Sequence, residues 1–124
     1  MEQTMKFEQL IRYTLEYLNQ IKYWHWQTKG YAEHQALDGF EQKLRPLVDS
    51  LVESMMGRTD SLPVDQGSVE LVNYTNSADI IESVEDIRDN YAEYKETISY
   101  GDIQNIVDEI VQECNQLIYL LRLK

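Results

Sequence analysis

Four segments of the chain repeat apolar residues at alternating intervals of three and four, and this periodicity constrains the fold more than any other feature. An α-helix turns once every 3.6 residues, so this spacing places the apolar side chains in one stripe along the helix. In the first segment, the stripe consists of Phe7, Ile11, Thr14, Leu18, Ile21 and His25. The four stripes predict helices over about residues 5–29, 32–56, 77–98 and 102–122. We therefore expect an all-α protein.

Residues at the segment ends support these limits. Thr4 can cap the first helix, and Gly30 lies where a left-handed residue would stop it. Gly57 has the corresponding position after the second helix. Pro46 lies in the middle of the second helix, where proline removes a backbone hydrogen bond. Because the apolar pattern continues beyond Pro46, the sequence favours a kink there over a break.

The interval between the second and third helices, residues 58–76, is long for a turn. Neighbouring antiparallel helices are usually joined by about 2–8 residues. Pro63 and Gly67 are typical of turns, while the stretch SVELVNY fits either a short strand or a helical turn. A long crossover, which carries the chain back along the bundle, explains this length. The expectation for residues 1–124 is a single domain, a four-helix bundle with a crossover between helices two and three.

The composition narrows the classes of function and partner. The net charge is −11, which repels phosphate and makes nucleic-acid binding unlikely, but suits divalent metals or a basic protein partner. No apolar run approaches the roughly 20 residues that cross a membrane. The one cysteine, Cys114, leaves no disulfide within the chain, so a reducing cytoplasm is the expected location.

Both histidines lie in one short stretch, HWQTKGYAEHQALD, which starts at His25. His34 and Asp38 are four residues apart and therefore share a face of the second helix, as do Asp49 and Glu53. The two pairs lie about 16 Å apart along the helix axis. One chain cannot bring both pairs to the same metal ion.

A second copy of the helix can bring them together. The midpoint between residues 34 and 53 coincides with the midpoint between 38 and 49. In two antiparallel copies related by a two-fold axis, His34 would lie level with Glu53 of the second copy, and Asp38 with its Asp49. His25 is close enough to join them. Imidazole and carboxylate ligands together suit iron, manganese or zinc, and bridging carboxylates favour a pair of ions.

A purely structural interpretation of these residues is also open. A histidine and an aspartate four residues apart more often form a surface hydrogen bond than a metal site. His25, between Trp24 and Trp26, fits a hydrogen-bonded core histidine equally well. Asp49 and Glu53 fit a solvated helix face.

These residues resemble the ferroxidase motif of the Dps mini-ferritins. The resemblance extends over the following positions: His25, Trp26, Gly30, His34, Asp38, Asp49 and Glu53. It implies a ferritin-like fold, a two-fold dimer or larger assembly, and iron oxidised by oxygen or peroxide. It also implies that His25, His34 and Asp38 of one subunit share the irons with Asp49 and Glu53 of its mate. HWQTKGYAEH further resembles short ferritin-like proteins of tailed bacteriophages.

The chain departs from the mini-ferritin pattern in four respects. The interval from His25 to His34 is shorter than usual, and Pro46 lies close to the proposed two-fold axis, where it would shift the mating helix. The basic N-terminal tail that some members use to hold DNA is absent, and the chain is short for a hollow shell. Two other functions therefore stay open. One is a non-enzymatic, phage-type interaction protein whose acidic third helix faces a basic partner; the other is a structural zinc or manganese site that fixes a dimer.

Overall fold

The computed structural model describes residues 5–61, 65–67 and 70–123, and over these residues the chain forms helices and no strand. Helix α1 spans Phe7–Gln27, α2 spans Tyr31–Thr59, α3 spans Ser77–Lys95 and α4 spans Gly101–Arg122. The prediction of four helices is confirmed, each within three residues or so of its expected limits. No helix in the described part of the chain is long and apolar enough to cross a membrane.

The helix ends differ from the sequence-based expectation in two places. Gly30 is not a left-handed stop for α1; its φ is −92°, and it is the residue that precedes α2. Gly57 does not end α2 either, because the helix continues to Thr59 and the left-handed residue is Asp60, with φ 52°. Aspartate is one of the few residues besides glycine that tolerates this conformation. Thr4, the expected cap of the first helix, lies outside the described residues.

Helix α2 continues without interruption across Pro46. The break that proline could have caused is absent, in agreement with the unbroken apolar stripe on this helix. The side chain of Pro46 is exposed. Leu44 and Val48, on either side of it, are both buried, so α2 packs on the core before and after the proline.

The apolar stripes of the four helices meet in a single core. Its most completely buried members come from every helix: Leu10, Ile21, Leu37, Leu44, Leu51, Val84, Ile87, Ile103, Ile110 and Cys114. Thr14 is polar but has the same position in the stripe of α1. Its hydroxyl donates to the Leu10 carbonyl oxygen at 2.7 Å and lies 2.5 Å from the Tyr91 hydroxyl, so its buried polar atom is satisfied.

Contacts between side chains define the directions of the helices. Tyr17 reaches Ser83 near the start of α3, whereas Thr14 reaches Tyr91 further along it, so α1 and α3 run antiparallel. Arg58 at the end of α2 donates to Asp102 at the start of α4, at 2.7 Å. In cross-section the helices follow the order α1, α2, α4, α3, and α1 packs only sparsely on α3.

The connection between α2 and α3 follows the sparsely packed side of α1. Asp65 pairs with Arg12 at 2.6 Å, the backbone of Val72 bonds twice to the side chain of Gln20, and the Tyr74 N–H donates to Gln27 at 2.7 Å. The chain therefore returns along the bundle before α3 begins, as the crossover prediction requires. In the described part of SVELVNY, residues 70–74 form neither a strand nor a helix.

Candidate metal centre

The two histidines face each other across the turn between α1 and α2. Their rings are stacked, with centroids 3.8 Å apart and planes inclined by 20°. Nδ1 of His25 donates to the carbonyl oxygen of His34, and Nδ1 of His34 donates to the carbonyl oxygen of His25, each at 2.8 Å. We call this reciprocal arrangement the histidine clasp. His25 is buried and His34 half-buried.

The clasp determines which nitrogen of each ring is free. A carbonyl oxygen can only accept a hydrogen bond, so Nδ1 carries the hydrogen in both rings. In the neutral form of each histidine, Nε2 then holds the lone pair that binds a metal. Histidines that ligate metals almost always donate their other N–H to a carbonyl or carboxylate. The clasp thus orients both imidazoles in the manner of metal ligands.

The turn that brings the histidines together is itself braced. Thr28 donates to Glu33 at 2.8 Å, and the N–H of Gly30 donates back to the Thr28 hydroxyl at 3.2 Å. Glu33 also accepts a hydrogen bond from Ser77, the first residue of α3. Burial would raise the pKa of Glu33, but the hydrogen bonds from Ser77, Tyr74 and Thr28 outweigh it and lower that pKa. Three elements of the bundle therefore meet at one carboxylate beside the clasp.

The three candidate carboxylates lie apart from the clasp. Asp38 is half-buried one turn after His34, and its Oδ2 accepts a hydrogen bond from Gln42 at 3.0 Å. Asp49 and Glu53 are exposed, about three and about four turns further along α2. Over the residues that the structure describes, no three histidine, cysteine or acidic side chains of one chain are grouped closely enough to hold a metal ion. The structure thus brings together His25 and His34 alone.

An apolar groove lies between α1 and α2, on the same outer face as Asp49. It has a volume of about 640 Å³, and its walls include Leu15, Pro46, Val52 and Asp49. Leu15 is half exposed although it is a large apolar side chain. The α2 residues of the groove, from Arg45 to Val52, lie just C-terminal to the midpoint between residues 43 and 44 that the spacing of the candidate ligands defines.

A buried carboxylate in the same region, Glu41, was not among the predicted site residues. Glu41 is 5% exposed and pairs with Lys22 of α1 and with Arg45, in each case at 3.0 Å. The burial of Glu41 could have been predicted from its position. Glu41 follows Leu37 by four residues and precedes Leu44 by three, which places it on the apolar stripe of α2. Its two cationic partners occupy its oxygens, so Glu41 links α1 to α2.

Comparisons with known proteins place most of the chain in one family. The model of the DUF5856 family, described as a family of unknown function, matches residues 25–121. The matched range begins at His25 and contains all five candidate ligands. Searches of curated proteins and of solved structures gave no match.

Proposed function

The chain belongs to the DUF5856 family, and since the function of that family is unknown, we propose from the geometry that the protein is a ferritin-like iron-binding protein with a ferroxidase-type site between two copies of the chain. One copy would supply His25, His34 and Asp38, and the second copy would supply Asp49 and Glu53. The four-helix bundle and its long crossover are compatible with a ferritin-like fold.

The histidine clasp is the observation that carries this proposal. Two imidazoles in a chain with only two histidines are held in contact, with both Nδ1–H groups committed to backbone carbonyls. Each ring makes one hydrogen bond, through Nδ1, and its Nε2 has no hydrogen-bond partner among the described residues. Holding both rings in the same tautomer, each with an available Nε2, is what a metal site requires.

A second copy is required because Asp49 and Glu53 are too far from the clasp within one chain. Asp49 and Glu53 are exposed, so they are free to reach a neighbouring molecule. The apolar groove that includes Leu15, Pro46 and Val52 offers a surface for that neighbour near the two-fold axis. Because a two-fold contact is self-complementary, one such interface would generate two identical sites.

The residues of the chain would bind and orient the metal. The imidazoles would supply neutral nitrogen ligands, while Asp38, Asp49 and Glu53 would supply the negative charge that stabilises Fe(III) over Fe(II). Asp38 retains accepting positions beside its bond to Gln42, because a carboxylate can accept about four hydrogen bonds or ligand bonds. The iron supplies the redox chemistry, in which Fe(II) is oxidised to Fe(III) by oxygen or peroxide. Zinc or manganese would fit the same donors without turnover.

The first test is an anaerobic titration of metal-free protein with Fe(II), followed by air, with the mass in solution measured alongside. We expect a dimer or larger assembly, saturable iron binding, and oxidation faster than that of free iron. Asp49→Ala should abolish iron binding and the accelerated oxidation. Ser50→Ala, at the neighbouring exposed position, should retain both. Unchanged iron binding in Asp49→Ala would refute the site. Iron binding without accelerated oxidation would instead support a structural metal site.

Mixing two inactive variants tests whether the site is shared. His34→Ala and Asp49→Ala should each lose iron binding as pure proteins. In a heterodimer of the two, one site receives both damaged residues and the other receives neither. An equal mixture after subunit exchange should therefore recover about a quarter of the wild-type sites. No recovery in a mixture shown to contain heterodimers would place the ligands within one chain.

A second candidate function rests on the exposed face of α3. A shallow depression there is lined by five carboxylates and one hydroxyl: Asp79, Glu82, Ser83, Glu85, Asp86 and Asp89. Such a face suits a basic protein partner, and the protein would then be a non-enzymatic interaction module. Metal ions distinguish the two functions, since a ligand at a hundredfold excess over its Kd stabilises the native state by about 2.7 kcal/mol. An interaction module would gain no such stability from Fe(II) or Zn(II).

A further inference from the structure

A second cavity lies on the opposite side of α1, between that helix, the start of α3 and residues 70–75. Its volume is about 370 Å³, which is within the usual range of small-molecule pockets. The wall formed by α1 includes Tyr13, Tyr17 and Trp24. The cavity exists because α1 and α3 pack sparsely and the crossover segment covers the gap between them.

The ring of Tyr17 is edge-on to each of the other two aromatic rings of this wall. Tyr13 and Tyr17 have centroids 6.3 Å apart and planes at 84°, and Tyr17 and Trp24 have centroids 6.4 Å apart and planes at 83°. In each pair the edge of one ring meets the face of the other. An aromatic face that borders a cavity attracts ammonium groups through its negative potential.

The charge around the cavity has one sign. Glu16, Glu70 and Asp79 contribute to its lining, and no lysine, arginine or histidine does so among the described residues. A fourth carboxylate, Asp86, accepts a hydrogen bond from the Tyr13 hydroxyl at 2.7 Å. Glu16 is paired with Arg12 at 2.6 Å, but Glu70 and Asp79 have no cationic partner in the described part of the chain. The cavity therefore favours a positively charged occupant.

Trp24 adds a requirement for a hydrogen-bond acceptor. The residue is 7% exposed, and its indole N–H is buried without an acceptor among the described residues. A buried donor without a partner costs about 1–3 kcal/mol. If the indole turned towards the cavity on binding, a ligand oxygen could accept from this N–H and remove that cost.

We propose that this cavity binds a small organic cation, an ammonium compound that also carries an accepting oxygen, as amino alcohols do. The ammonium group would lie against Tyr13 and Tyr17 under the attraction of the carboxylates, and the oxygen would accept from the Trp24 indole. This inference is independent of the metal centre, because the cavity shares none of the five candidate ligands.

Choline and its neutral isostere 3,3-dimethylbutan-1-ol test the proposal on metal-free protein. The two probes have the same shape and the same hydroxyl, but only choline is charged. In a nitrogen–proton NMR titration, the indole signal of Trp24 should shift saturably, while that of the exposed Trp26 stays in place as an internal control. We expect choline to bind at least about tenfold more tightly than the isostere. Equal binding of the probes, or no shift of the Trp24 signal, would overturn the proposal.

A pair of variants at Tyr13 tests the aromatic wall. Tyr13→Phe keeps the ring and loses only the hydrogen bond to Asp86, so choline binding should persist. Tyr13→Leu removes the ring and should weaken binding by about tenfold. Tyr119→Leu, at an exposed tyrosine of α4 outside the cavity, should have no effect. If Tyr13→Leu binds choline as well as Tyr13→Phe does, choline is held by the general negative charge and the proposal fails.

Discussion

Replacing His34 with alanine should destabilise the metal-free protein by an amount that follows from the histidine clasp. The variant loses the hydrogen bond from Nδ1 to the His25 carbonyl, at 2.8 Å, which is worth about 0.5–1.5 kcal/mol. It also loses the stacked contact with the His25 ring, worth about the same. Together these give roughly 2 kcal/mol. For a chain of 124 residues, this lowers the Tm by about 8 °C.

A double-mutant cycle with His25→Ala separates the two contributions. Each hydrogen bond of the clasp joins a side chain to a backbone carbonyl, which alanine retains, so the ring stack is the only direct interaction between the two side chains. The coupling energy should therefore be about 0.5–1.5 kcal/mol. Denaturant unfolding in the presence of a chelator measures it without any metal contribution.

Two controls make the cycle interpretable. Gln35→Ala, at the exposed neighbour of His34, should change stability by less than about 0.5 kcal/mol. His34→Phe keeps a ring but loses the hydrogen bond, so it should recover part of the coupling. If the losses in His25→Ala and His34→Ala add to within about 0.3 kcal/mol, the rings are not stacked in solution and the orientation argument for the metal centre is refuted.

Three further predictions concern residues outside the clasp. Pro46→Ala should restore a hydrogen bond inside α2 and raise the free energy of unfolding by up to about 3 kcal/mol. A free energy of unfolding below that of the wild type, measured in denaturant, would contradict this. Burial raises the pKa of Cys114 to about 12, so a thiol reagent should label it rapidly only in denaturant, and rapid labelling of native protein would contradict that. A hydrogen bond from Arg58 lowers the pKa of Asp102, so its stabilisation is present above its ordinary value of 3.8 and is lost as the pH falls through the lower folded pKa. The Tm of the wild type should then fall more than that of Asp102→Asn between about pH 5 and about pH 2, whereas parallel curves would exclude this linkage.

The helices were predictable because the apolar periodicity is repeated several times within each segment. Ile11, Leu18 and Ile21, for example, all lie on one face of α1, and all three are buried. The helix ends depend on single residues and were less predictable. Gly57 was expected to end α2, yet the helix passes it and ends before a left-handed Asp60. Arg58, on the last turn, pairs with Asp102 of α4, a contact that the sequence does not indicate.

The candidate site was predictable only as a set of residue types and intervals. The short turn after α1 brings His25 and His34 close in any helical hairpin, and the structure places them in contact. The spacing could not indicate that each ring donates to the backbone of the other residue. The pairing of Asp49 and Glu53 with a second copy stays a prediction, since it depends on a neighbouring molecule.

The sequence by itself determined the number of helices, their buried faces and the long connection, since these follow from periodicity and chain length within a segment. The tertiary structure decided the hydrogen bonds of the clasp, the pairing of Glu41 with Lys22 and the cavity beside Trp24. The last two join residues that are distant in the chain, such as Tyr17 and Ser83 or Lys22 and Glu41. Local periodicity carries no information about which distant side chains meet, because that depends on how four helices and a crossover pack at once.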